Sequence, residues 1–98
     1  MITHSMPESQ LIKQALDTWG VEAQLDMVVE ECAELIDAVC KWRRRRIESS
    51  KVLEEGVDVE LMIEQLKHML DAPNLWEQVR EQKLKRLSER LINLVDSK

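Results

Sequence analysis

The chain has 98 residues, and 19 acidic against 14 basic side chains leave a formal net charge of -5 and a pI near 5.0. That length holds one domain, spanning 1–98, whose own core is modest and which gains from assembling with copies of itself. The acidic balance argues against a general nucleic-acid binder, with Arg43-Arg44-Arg45-Arg46 as the local exception, and no stretch approaches the ~20 apolar residues that span a bilayer. Phe and Tyr are absent, and two Gly and two Pro leave few breaks, which favours helices over sandwiches or barrels with their many turns. Residues Met1-Ile2-Thr3-His4-Ser5 carry no charged-then-apolar signal pattern, so the expected location is the cytoplasm.

In chain order, Pro7 suits the first turn of a short helix running to about Trp19, with Ser5 or Met6 before it and Gly20 after it. From Val21 to about Arg45 nothing breaks a second helix. Its residues Leu25, Val28, Val29, Cys32, Leu35, Ile36 and Val39 follow the spacing of one buried stripe. Cys32 and Cys40 lie on this helix about 12 Å apart in rise, too far to bridge, and read as reduced packing residues. Ser49 and Ser50 are N-cap candidates for a third helix to about Leu70. Asp71-Ala72-Pro73-Asn74 is a turn, and Asn74 can cap a fourth helix to about Val95. Leu84, Leu87, Leu91 and Leu94 give that helix the spacing of a bundle seam. One short and three long helices predict an all-α bundle of mostly antiparallel helices.

The acids are the informative residues. On the third helix Met62, Leu66 and Met69 define an apolar line, and Glu55 and Asp58 extend it backwards, so both are expected to point inward. Glu60 and Glu64 point away. Carboxylates are almost never buried unless paired, and two close anions repel. Glu31 and Glu34 form a second pair on the second helix, off its apolar stripe, on a mixed side shared with Met27 and Ala38. The connection from Arg46 to Ser50 is short, so the two helices pair antiparallel and four carboxylates can surround one volume. Such an all-oxygen set suits Mg²⁺ or Mn²⁺ rather than zinc or copper. A Glu-x-x-His di-iron arrangement is missing, since neither His4 nor His68 follows a Glu by three. The plain structural alternative is a set of ordinary helix-surface ion pairs.

Glu30-Glu31-Cys32-Ala33-Glu34 followed by Glu55-Gly56-Val57-Asp58 resembles the E-E-x-x-E, spacer, E-x-x-D motif of the MazG-like all-α nucleoside triphosphate pyrophosphohydrolases. The resemblance covers about Trp19 to Leu91. It implies that Glu31, Glu34, Glu55 and Asp58 hold Mg²⁺, with Mn²⁺ as a substitute. It implies a supporting or water-orienting role for Glu30, so that Glu30 and Glu31 are the candidate catalytic acids. The implied reaction cleaves a nucleoside triphosphate between the α and β phosphates, giving monophosphate and pyrophosphate, often to clear non-standard or surplus nucleotides. The implied assembly is a homodimer or homotetramer. Two features depart from the common pattern: Gly56 sits between two ligands, where it either permits close helix approach or loosens the site, and any aromatic base contact falls to a Trp.

Lys83 and Arg86, one turn apart, are candidate phosphate contacts, with pairing to Glu81 or Glu89 as the plain alternative. Lys41 and the arginine run suit the negative end of the helix dipole, with phosphate guidance as a second role. Trp19 is a candidate base contact, Trp76 a packing residue and His68 a surface residue. The rival reading is a non-catalytic helical protein that dimerises or regulates through the fourth helix.

Overall fold

The computed structural model describes residues 6–96; the readings placed on residues 1–5, including Ser5 ahead of the first helix and the missing signal pattern, lie outside them. Four helices, α1 (Glu8–Trp19), α2 (Val21–Arg43), α3 (Ser49–Leu70) and α4 (Pro73–Asp96), make the chain an all-α helical bundle with no strand among the described residues. None of these helices is long and apolar enough to cross a membrane.

Gly20 is both the end of α1 and the start of α2. Its amide donates to the Leu16 carbonyl at 2.8 Å and its own carbonyl accepts from the Gln24 amide at 3.1 Å. It does so at φ 88° and ψ 161°, a conformation open essentially to glycine alone. At the far end of α2 the Arg45 amide reaches the Trp42 carbonyl and the Arg46 amide reaches Lys41, at 2.9 Å each. This is the Schellman closure, with Arg45 at φ 59° where glycine is usual. Ser49 and Ser50 are the first residues of α3 rather than its cap. Glu48 holds the cap position in an extended conformation, without a side-chain bond, so the serines fall just too late to serve. Likewise Asn74 does not cap α4, which begins one residue earlier, at Pro73. The Ala72 carbonyl instead accepts the Trp76 amide.

The connection Arg44–Glu48 is too short for anything but an antiparallel α2–α3 hairpin, which makes most of the tertiary contact. The Gln24 side-chain amide donates to Gln65 Oε1 at 2.6 Å, and both residues are buried. Ten residues further along α2, Glu34 meets Glu55, ten residues back along α3, so the two contacts share one register. The α2 packing face is therefore the line Gln24, Glu31, Ala38, one residue every seven. Only part of the expected stripe is covered: Leu25, Val29 and Ile36 are exposed, at 37%, 70% and 65%, and Val28, Cys32, Leu35 and Val39 are half-buried. The mixed side of α2 faces α3 because the register that pairs Gln24 with Gln65 places it there. Cys40 is exposed rather than packed.

Among the described residues the apolar core is thin, consisting of Ile12, Ala38 and Met62. α1 packs on α2 and α3, while α4 touches α3 only. Beyond Trp76 every residue of α4 is exposed. The radius of gyration is 17.4 Å, against about 13 Å for a compact chain of this length. Where α4 leaves α3, Lys67 sits 5.2 Å from the Trp76 ring centroid, so Trp76 packs as expected, and His68 is at the surface.

Because the Gln pair is the buried polar tie of the hairpin, Gln24→Ala should destabilise the protein by about 1–3 kcal/mol by leaving Gln65 Oε1 without its donor. Replacing both glutamines by Leu should recover most of that loss. Urea denaturation of the three proteins checks it, and an unchanged midpoint for Gln24→Ala would remove the pair from any role in the register.

Candidate metal centre

The α2–α3 register brings acids from both helices to the middle of the hairpin. Glu31, Glu34 and Glu55 each place a carboxylate oxygen within 4.8 Å of the others. Glu55 is buried, at 7% exposure, Glu31 is half-buried and Glu34 is at the surface. Glu55 Oε1 accepts a 3.0 Å salt bridge from Lys51, one turn earlier on α3, and Lys51 also lies 3.7 Å from Glu54. The other oxygen of Glu55, and Oε2 of Glu31, are buried with no hydrogen-bond partner. Orphaned buried acceptors are rare in folded proteins and call for an explanation.

Asp58 departs from the expected arrangement. It lies one turn beyond Glu55 but is exposed and outside the close trio, because it sits at the edge of the α3 face that α2 covers. Its charge still reaches Glu31 and Glu34. Glu60 is solvated as expected, whereas Glu64 is half-buried and paired to Lys67 at 3.0 Å. Gly56 makes no close approach: a Cβ there would meet nothing within 4 Å. Close helix packing therefore does not require a glycine at that position.

Electrostatics follow from the crowding. Desolvation, then the charges of Glu34, Asp58, Glu55 and Glu30, raises the Glu31 pKa above its ordinary value of 4.5. Glu34 is raised from the same value by desolvation, then by the charge and closeness of the Glu55 carboxylate, with Glu30 and Asp58 adding to it. Lys51 is raised above 10.5, first by its hydrogen bond to Glu55, and so stays charged. Without a cation, protons are what relieve this site.

The three oxygens fit a small divalent cation. At metal–oxygen distances near 2.1 Å, opposite ligands of an octahedral Mg²⁺ stand about 4.2 Å apart, so three oxygens that lie within 4.8 Å of one another are close enough to be drawn onto one ion. All donors are carboxylates, and two of their oxygens have no other partner, which is the donor set of a hard cation.

Beside the trio, Glu34, Asp37, Lys41, Ile47, Lys51 and Glu55 line a small pocket of about 130 Å³. Lys41 is therefore near the acids, held by Asp37 at 2.8 Å. The other expected substrate contacts are not brought there. Trp19 is exposed at the end of α1, and Lys83 lines a separate apolar cleft of about 610 Å³ with Lys67, Leu70, Trp76, Val79 and Arg80, some twelve residues, or about 18 Å of helix rise, beyond Glu55. Arg86 is exposed one turn further along α4, and neither cation forms an ion pair among the described residues. Sequence reasoning missed Lys51. Its signal was available, as a Lys four residues before Glu55 on the same helix face. Comparison with family models, curated proteins and solved structures finds no match to this chain.

The raised Glu31 and Glu34 pKa values mean that the metal-free folded chain holds protons more tightly than the unfolded chain does. Their contribution to stability is thus present below about pH 4.5 and lost as pH rises through the raised values. Metal-free Glu34→Gln should show a shallower loss of Tm between pH 5 and 8 than the parent. Identical pH slopes in calorimetry would mean that the carboxyls do not crowd one another.

Proposed function

We propose that the chain is a Mg²⁺-dependent nucleotide pyrophosphohydrolase of the MazG-like kind, cleaving a nucleoside triphosphate between the α and β phosphates. The observation that carries this reading is the convergence of Glu31, Glu34 and Glu55 from two helices, with two orphaned buried oxygens between them. Glu31, Glu34 and Glu55 would hold the ion from the hairpin side, and Asp58 would close on it from the exposed edge. What bound Mg²⁺ or Mn²⁺ supplies is charge neutralisation, polarisation of a phosphoryl oxygen and a lowered pKa for a bound water.

The protein's own groups divide the remaining work. Lys51 binds one oxygen of Glu55 and leaves the other free to ligate. Glu31, whose proton affinity is raised, is suited to accept a proton from the attacking water, and exposed Glu30 adds negative charge behind it. Lys41 and Lys51 bring positive charge to the pocket beside the acids, where triphosphate oxygens need it. Non-standard or surplus nucleotides in the cytoplasm are the proposed substrates, and a homodimer or homotetramer the proposed working unit.

The exposed Leu84, Leu87 and Leu91 seam favours a second reading, a non-catalytic helical protein that dimerises or regulates. Buried acids have no use in it. A pyrophosphate-release assay over a panel of nucleotides separates the two. Turnover should require Mg²⁺ or Mn²⁺ and fall to background in Asp58→Asn, with helicity retained by circular dichroism. No turnover of any nucleotide at high protein concentration would favour the interaction protein, and full activity in Asp58→Asn would remove that ligand.

A further inference from the structure

We infer that α4 of one protomer docks onto the outer face of α2 of a second copy. The inference is independent of the metal site. α4 has an unusual charge distribution. At about 100° per residue, Leu75, Val79, Leu84, Leu87 and Leu91 occupy one half of its circumference. Arg80, Lys83, Arg86 and Arg90 fall in the same half, while Glu77, Glu81, Glu89 and Asp96 all fall in the other. The apolar face of α4 is thus a cationic face. It is also bare, since α4 touches only α3 within the protomer, and Leu84, Leu87 and Leu91 are 45%, 51% and 55% exposed.

The outer face of α2 is the complement. Exposed Leu25, Val29 and Ile36, with half-buried Cys32, form a stripe on the side away from α3; Glu22 and Asp26 follow one edge of it, and Asp37 and Glu30 lie farther round on that same side. No Lys or Arg occurs between Glu22 and Cys40. Glu22, Asp26 and Glu30 enter no ion pair among the described residues, and neither do the four cations of the α4 face. The lengths agree as well: Leu25 to Ile36 and Val79 to Leu91 each span roughly 17 Å of helix.

Charge also decides against the simplest alternative. If α4 paired with α4 of a second copy, its four cations would face like cations across a desolvated seam, which is costly. The exposed stripe on α3, Leu53, Val57 and Leu61, is also acid-lined, but it ends at Lys67 and His68. A two-fold dimer makes the α4–α2 contact twice. It covers surface that a protomer with so thin a core leaves wet, and patches of that kind mark interaction sites. Glu31 and Glu34 lie on the other side of α2, so docking leaves the acidic trio open.

Analytical ultracentrifugation of the full chain should show a dimer. Lys83→Glu with Arg86→Glu should weaken it at least tenfold, and adding Glu22→Lys with Asp26→Lys should restore it. In a chain that is otherwise unaltered, Leu87→Cys under mild oxidation should give intermolecular disulfides to the native Cys32 or Cys40, identified by peptide mapping. A monomer at 100 µM, a dimer indifferent to the charge reversals, or disulfides only between the two copies of position 87 would overturn the docking. These outcomes do not depend on whether any nucleotide is cleaved.

Discussion

The short link between α2 and α3 is the constraint on which the rest depends. It allows one antiparallel pairing, and the buried Gln24–Gln65 hydrogen bond selects a register within it. That register then places a glutamate of α2 opposite a glutamate of α3. A slip by one helical turn would separate Glu34 from Glu55 and break the buried bond between Gln24 and Gln65. The polar tie and the acidic site are therefore two outcomes of the same alignment.

The alignment carries a cost that has a physical remedy. Most helical hairpins bury their most apolar stripes against each other, whereas this one turns Glu31, Ala38 and Glu55 inward and leaves Val29, Ile36 and Leu53 to solvent. Burying carboxylates that touch one another is unfavourable unless a proton or a cation joins them. Lys51 takes one oxygen of Glu55. It leaves Oε2 of Glu31 and Oε2 of Glu55 without a partner. The same choice of faces leaves apolar area outside, and that area carries charge of one sign on α2 and the other on α4.

Helix number and extent were legible because breaks are few: Gly20, the arginine run and the Asp71-Ala72-Pro73 turn each end an element where the sequence suggests. The trio of acids was legible through helical spacing, and Lys51 could have been found the same way. Two things were not. The orientation of α2 was misjudged because periodicity identifies its most apolar face without saying whether the same chain or another covers it. Asp58 was expected inside because a line drawn along α3 does not show how wide a face α2 covers. The caps failed for a smaller reason, since Ser49 stands one place and Asn74 two places too late.

Binding of a divalent ion tests the central claim most directly. Mn²⁺ titrated into the protein and followed by electron paramagnetic resonance should reveal a saturable site, competed by Mg²⁺, that is lost in Glu55→Gln and in Glu34→Gln. Unchanged Mn²⁺ binding in both variants, or none in the parent at millimolar ion, would contradict it.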